Sequence, residues 1–192
     1  METLADEGVT SFKIYMTYAF KIPDEGIYHI LRRARELGVM IAVHPENDGL
    51  VNTRRKELSE SGCTAPRYHA ISRPEECEAE AINRAIQISA VAGDAPLYIV
   101  HLSNHLGMQH IRLAKQNGIR NVFVETCPQY LLLDDTYYER EDGLKYILSP
   151  PLRRKDNNAL LWEDIRQGDI DTVATDHCPF DYTLKQKLGG AD

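Results

Sequence analysis

VMIAVHP at 39–45 and PLYIVHLS at 96–103 are nearly continuous apolar runs, each followed by a histidine. That is how parallel strands buried on both faces read. Three further β-rich runs accompany them: SFKIYMTY at 11–18, NVFVETCP at 121–128 and DTVATDHCP at 171–179. Helix-like segments lie between, at 24–37, 74–91, 104–117 and 156–167, with Gly38, Gly93, Gly118 and Gly168 as their stops. Strand and helix alternate throughout, so the class is α/β with parallel pairing. An open doubly wound sheet and an arc of a (β/α)8 barrel share this order, and no GxGxxG follows any strand to suggest a dinucleotide fold.

The 192 residues, 43% hydrophobic and 27% charged, read as one unit over 1–192 with a sizeable core. No repeat, low-complexity tract or Pro/Gly-rich linker divides them. A net charge of −7 leaves no broad cationic surface for gripping nucleic acid through its phosphates, so a small-molecule substrate is expected. Arg32-Arg33 and Arg153-Arg154-Lys155 read as solvated faces. Cys63, Cys77, Cys127 and Cys178 form no CxxC pair, which fits a reducing compartment and a cytoplasmic protein. No apolar run reaches the roughly 20 residues of a membrane span, and METLADEG is not a signal peptide. The stretch from Glu46 to Arg73, about thirty residues, reads as an unusually long loop.

Four polar residues stand out by position. His44 and His101 close apolar strands, where a barrel would aim two imidazoles at one divalent metal. A lone histidine there is more often a hydrogen-bonded core residue; the pair makes the stronger case. Asp176 sits near a third strand end, as a metal ligand, a proton acceptor or a cap for the next segment. Lys13, between Phe12 and Ile14, must send its amine outward or settle it among polar partners. Facing a metal-lined barrel, its neutral amine could capture carbon dioxide as a carbamate, whose two oxygens could bridge two cations. His177 and His105 read as supporting or structural, and Cys127 as a buried structural thiol. Tyr130, Tyr137, Tyr138 and Trp162 read as packing or surface aromatics.

SFKIYMTY, VHPEN, VHLS, ETCPQYL, ILSPPLR and TDHCPF, together with YHAISRPEECEAEAINRA, resemble in order the hydantoinase/dihydropyrimidinase branch of the amidohydrolase superfamily. The resemblance implies a partial (β/α)8 TIM barrel of the metal-dependent hydrolase type, about strands 4 to 8 of the eight. It implies zinc, with a carboxylated Lys13 bridging two metals, His44 and His101 ligands of one, and Asp176 a ligand of the other. Asp176 would also shuttle the proton, Tyr18 would hydrogen-bond the substrate carbonyl or developing oxyanion, and Ser149 would hold the ring amide. The implied reaction is hydrolysis of the cyclic amide bond of dihydropyrimidines or hydantoins to N-carbamoyl amino acids, by an enzyme that is homotetrameric when complete.

Allantoinase and dihydroorotase share the metal logic and are the alternatives, although SPPLR and YMTY look closer to hydantoinase. Non-catalytic dihydropyrimidinase-like relatives replace several of the positions of Lys13, His44, His101 and Asp176, all of which are present here. The family's first two metal histidines form an HxH pair, and no HxH occurs in this sequence. METLADEGVTSFK resembles the family's fourth strand and the helix before it. The expectation is therefore a half-site that binds metal weakly, with hydrolysis absent or slow in this chain alone.

Overall fold

The computed structural model describes residues 1–178 and 180–188. Among them β1 (Ser11–Tyr15), β2 (Met40–His44), β3 (Leu97–Ile99), β4 (Val122–Thr126) and β5 (Thr172–Val173) pair in that order. Every pairing is parallel. A doubly wound sheet reverses its strand order part-way; this sheet never does. Right-handed crossovers taken always in one direction put their helices on one face, as in a (β/α)8 barrel. The ambiguity between open sheet and barrel arc is settled in favour of a partial barrel.

Helix α1 (Glu2–Asp6) precedes β1, and α2 (Asp24–Leu37) carries the chain to β2. The step to β3 passes through α3 (Asp48–Glu60), α4 (Arg67–Ser72) and α5 (Glu75–Val91). Helix α6 (His105–Gln116) leads to β4. Helix α7 (Pro128–Leu132), two 3-10 turns and α8 (Lys155–Arg166) lead to β5, and α9 (Tyr182–Leu188) follows. Gly38 ends α2 at φ +68°, a conformation in which a Cβ would be strained. Among the described residues no helix is long and apolar enough to cross a membrane.

The register stacks Ile41, Leu97 and Val122 in one row and Ile14, Val43, Ile99 and Val124 in the next. These rows form one core with Ile27 and Leu31 of α2, Ile82 and Ile86 of α5, and Met108 and Ile111 of α6. Burying each such side chain contributes about 1.5–3 kcal/mol. The alternate row, Lys13, Ala42, Tyr98 and Phe123, lies on the opposite face and keeps solvent access.

Two expectations are corrected. The stretch from Glu46 to Arg73 is mostly helical, as α3 and α4. Helix α3 buries only Val51, so its apolar periodicity is faint, and its start is marked instead by Asn47, whose side chain accepts from the Leu50 amide at 3.1 Å. Arg153 is not a solvated charge but is 6% exposed. Its Nη2 donates to Glu78 Oε2 at 3.0 Å and its Nε to Ser103 Oγ at 2.8 Å. Arg32, Arg154 and Lys155 are exposed.

Glu78, fully buried on α5, also accepts from the Ser103 amide at 2.9 Å and from Asn104 Nδ2 at 2.5 Å. It thereby ties α5 to both the β3–α6 turn and the segment before α8. Glu78→Ala leaves a buried guanidinium without its counter-charge and is expected to lower stability by about 3–5 kcal/mol. Urea unfolding checks this; a change below about 0.5 kcal/mol, the size of an ordinary surface substitution, would contradict it.

Candidate metal and substrate site

Strands β2 and β3 deliver their histidines by the same local device. His44 ends β2, and three residues later Asn47 caps α3. His101 lies two residues past β3, and three residues later Asn104 caps α6, accepting from the Gly107 amide at 2.8 Å. Both segments read His-x-x-Asn, in VHPEN and VHLSN. Each imidazole is thus held between a core strand and a helix start.

The two rings meet. His44 Nδ1 stands 2.9 Å from His101 Nε2, and both residues are buried. The other nitrogen of His44, Nε2, lies 2.8 Å from Glu46 Oε2, and the same oxygen accepts from Arg73 Nη1 at 2.8 Å. Burial alone would raise the Glu46 carboxyl; the His44 hydrogen bond and the Arg73 charge outweigh it and bring its pKa down to about 2. Burial, then His44 and Lys13, push His101 well below the usual imidazole range, so its ring is neutral. His101 Nδ1 is buried with no hydrogen-bond partner.

His101 adopts φ +42°, a conformation L-residues avoid. Its neighbours impose it: the His101 amide donates to Glu125 Oε1 at 3.1 Å, the Leu102 amide to the Glu125 carbonyl at 2.7 Å, and Thr126 Oγ1 to the Leu102 carbonyl at 2.7 Å.

Tyr18, at φ +76°, sits just beyond β1. Its ring centroid is 5.1 Å from that of His44, and the Arg73 guanidinium lies 5.9 Å from it. Burial first, then Glu46, push the phenol up to about 12, while a hydrogen bond with Ser149 works the other way. The phenol keeps its proton and can donate it. Ser149 precedes a cis bond to Pro150, and its Oγ is 3.4 Å from His69 Nε2.

Lys13 points from the open face of β1, with Nζ 5.3 Å from the Tyr15 ring centroid. Asp176 lies three residues past β5, exposed, at φ +47°. The Cys127 thiol is pushed up to about 12 by burial, then by Glu125 and Asp176, while Lys13 lowers it. Lys13 and Asp176 thus each lie within electrostatic reach of Cys127. No hydrogen bond among the described residues ties either to the histidine pair, and no group of three or more His, Cys, Asp and Glu among them could hold a metal ion.

Other residues separate from the site. His105 Nδ1 lies 2.9 Å from Asp164 Oδ2, and Asp164 also accepts from Arg112 Nη2 at 2.7 Å, joining α6 to α8. His177 is exposed. Sequence reasoning missed Glu46, Arg73 and Glu125. Glu46 had a visible signal, a carboxylate two residues after a strand-ending histidine; Arg73, far along the chain, had none.

The geometry has known counterparts. No family model matches the chain. A D-phenylhydantoinase of Escherichia coli O81 (strain ED1a) is 53% identical over 189 residues, covering 98% of this chain and 41% of that protein. The chain belongs to the hydantoinase/dihydropyrimidinase family. A solved dihydropyrimidinase from Brevibacillus agri NCHU1002 matches this hydantoinase-family chain with a TM-score of 0.94 and 43% identity, over 100% of the chain. A D-hydantoinase (dihydropyrimidinase) from Thermus sp. matches with a TM-score of 0.94 and 41% identity, over 99% of it. The hydantoinase-family chain spans about two-fifths of the length of these relatives, 42% of each solved one.

His69 behind Ser149 offers a pH test. Burial first, then Arg73, depress its pKa from 6.5 to about 4, while the bond to the Leu148 carbonyl at 2.8 Å opposes this. Between these values the unfolded chain binds a proton that the native one refuses. Its share of stability is whole above pH 6.5 and is lost as pH falls towards 4, at up to about 1.4 kcal/mol per pH unit. His69→Gln is expected to flatten the slope of unfolding free energy in that window, read by urea titrations at successive pH values. An unchanged slope would contradict it.

Proposed function

We propose that this chain supplies a histidine pair of a metal centre, and the carbonyl-binding groups beside it, in a cyclic amidohydrolase that opens hydantoin or dihydropyrimidine rings to N-carbamoyl amino acids. The observation that carries this reading is the 2.9 Å approach of His44 Nδ1 to His101 Nε2 at the carboxyl ends of neighbouring parallel strands. The relatives named D-phenylhydantoinase and dihydropyrimidinase point to the same substrate class.

The residues fit a divalent cation such as zinc by their chemistry. His101 is held neutral, and His44 has a carboxylate behind its other nitrogen, as metal-binding histidines generally do. Lys13, carboxylated, would add an anionic oxygen donor from the adjacent strand, and Asp176 a carboxylate from the end of β5. When bound, such a cation polarises the amide carbonyl and acidifies water enough to supply the nucleophile near neutral pH.

The chain's own groups do the rest. Tyr18 keeps its phenolic proton and donates to the carbonyl oxygen as negative charge grows there. Ser149, hydrogen-bonded to Tyr18, holds the ring amide against it. Asp176 accepts a proton from the attacking water and delivers it to the ring nitrogen as the C–N bond breaks. The water oxygen stays on the carbonyl carbon as a carboxylate.

Calorimetric titration with zinc tests the donor pair. His44→Ala and His101→Ala are each expected to weaken binding by at least about tenfold; affinity unchanged in both removes the proposed centre. Ring opening of dihydrouracil and 5-phenylhydantoin, with zinc and bicarbonate supplied, tests the chemistry. The chain alone is expected to turn over slowly, any turnover to vanish in Lys13→Ala and Asp176→Ala, and turnover indifferent to both would exclude the assigned roles.

A further inference from the structure

A cavity of about 810 Å³ opens between α3, α4 and the 3-10 turn Gly143–Tyr146. Small-molecule pockets span roughly 300–1,000 Å³. The cavity is separate from the histidine pair, since none of Lys13, Tyr18, His44, His101 and Asp176 lines it.

Helix α3 has almost no apolar stripe because its organised face is polar. Asn52, Arg55, Lys56 and Ser59 fall at i, i+3, i+4 and i+7, one side of a helix, and all four line the cavity. Pro66, Leu144 and Ile147, beside α4 and the 3-10 turn, add apolar wall. Arg54 ties the two helices together: its Nε and Nη2 donate to the Ile71 carbonyl at 3.1 and 2.9 Å.

The chain carries a net charge of −7, yet the lining has the opposite sign. Arg55 and Lys56 are its charged residues, and among the described residues it holds no Asp or Glu. His69 also lines it but is neutral at pH 7, its pKa lowered to about 4 by burial and then by Arg73. Lys56 has a carboxylate nearby, Glu60 at 3.8 Å, but both side chains are exposed and such a pair holds its partners loosely. This lining repels cations and offers charged donors to an anion. It also adjoins the substrate-binding turn, because His69 Nε2 donates to the Leu148 carbonyl at 2.8 Å and stands 3.4 Å from Ser149 Oγ.

We propose that this cavity binds a small organic carboxylate bearing an apolar group, with the carboxylate on Arg55 and Lys56 and the apolar group against Leu144 and Ile147. The open-chain product of the proposed ring opening has this chemistry, and that identification alone rests on the proposed function.

Calorimetric titration of the zinc-free chain tests the site without any turnover. Phenylacetate and N-carbamoyl-phenylglycine are expected to bind. Phenylacetamide, the ring without the charge, and inorganic phosphate, the charge without the ring, are expected to bind at least about tenfold more weakly. Arg55→Gln and Lys56→Gln should each weaken phenylacetate binding by at least about fivefold. Arg32→Gln, which removes an exposed cation on α2, should leave it unchanged. Phenylacetate that does not bind, that binds no better than phenylacetamide or phosphate, or that is indifferent to both α3 substitutions overturns the proposal. Lys56 is exposed, so Lys56→Gln gives the reading even if Arg55→Gln does not fold. Phenylacetate bound with N-carbamoyl-phenylglycine rejected upholds the carboxylate site and removes its link to ring opening. Failure of the zinc-supplied chain to open rings bears on the proposed function and leaves the site standing.

Discussion

Parallel strands cannot be joined by a tight turn, and that constraint organises this chain. Each step from β1 to β5 needs a crossover, and all four crossovers run the same way. Their helices cover one face of the sheet, burying Ile41, Val43, Leu97, Ile99, Val122 and Val124. The other face is more open, carrying Lys13, Ala42, Tyr98 and Phe123, and histidines close two of the strands. His44, His101 and Asp176 each lie at or just past the carboxyl end of their strands, though they are up to 132 positions apart in sequence. Apolar burial supplies the stability; strand direction supplies the address.

What surrounds that end is ionic rather than apolar. Glu46, Glu78 and Asp164 are each fully buried, and each is matched to an arginine: Arg73, Arg153 and Arg112. Burying charge pairs contributes little net stability compared with apolar packing, but breaking one is costly. Their effect here is to fix geometry. Each pair joins a strand end or crossover helix to a segment distant in sequence, and the first two are linked through the Arg73 carbonyl. The turns that carry His44 and Ser103 are thereby held to one another through Arg73 and Arg153.

The fold was legible because its signals are local and repeated. The apolar runs VMIAV and LYIV, the periodic helices and the glycines at their ends each report on a few neighbouring residues, and helix α2 falls where its pattern and Gly38 place it. Helix α3 escaped because it buries one residue, so its sequence carries almost no periodicity. Arg153 was misread for the complementary reason. Charge in a sequence looks solvated until its partner is known, and Glu78 lies 75 positions away. The candidate site divides the same way. His44 and His101 announced themselves by ending strands, whereas the Glu46–Arg73 pair behind them depends on a tertiary contact across 27 positions.

Backbone strain separates the parts of the site by how firmly they are held. Tyr18, Asp94, His101 and Asp176 are the described non-glycine residues with positive φ, a conformation that costs on the order of 1 kcal/mol or more. Asp94 shows that strain alone does not mark function, since it sits at the turn before β3 and is bonded to Asn121. His101 is different because Glu125 and Thr126 clamp both sides of its turn, so the strained ring position is over-determined. Among the described residues, the bonds around Asp176 are Ala174 on Thr126 and a 3.5 Å contact from Gln129 to Thr175. A histidine pair proposed to fix a cation needs rigid nitrogens, and a carboxylate proposed to take a proton from water and give it to a departing nitrogen has to serve two positions. The rigid strand end and the lightly bonded one match that division of labour.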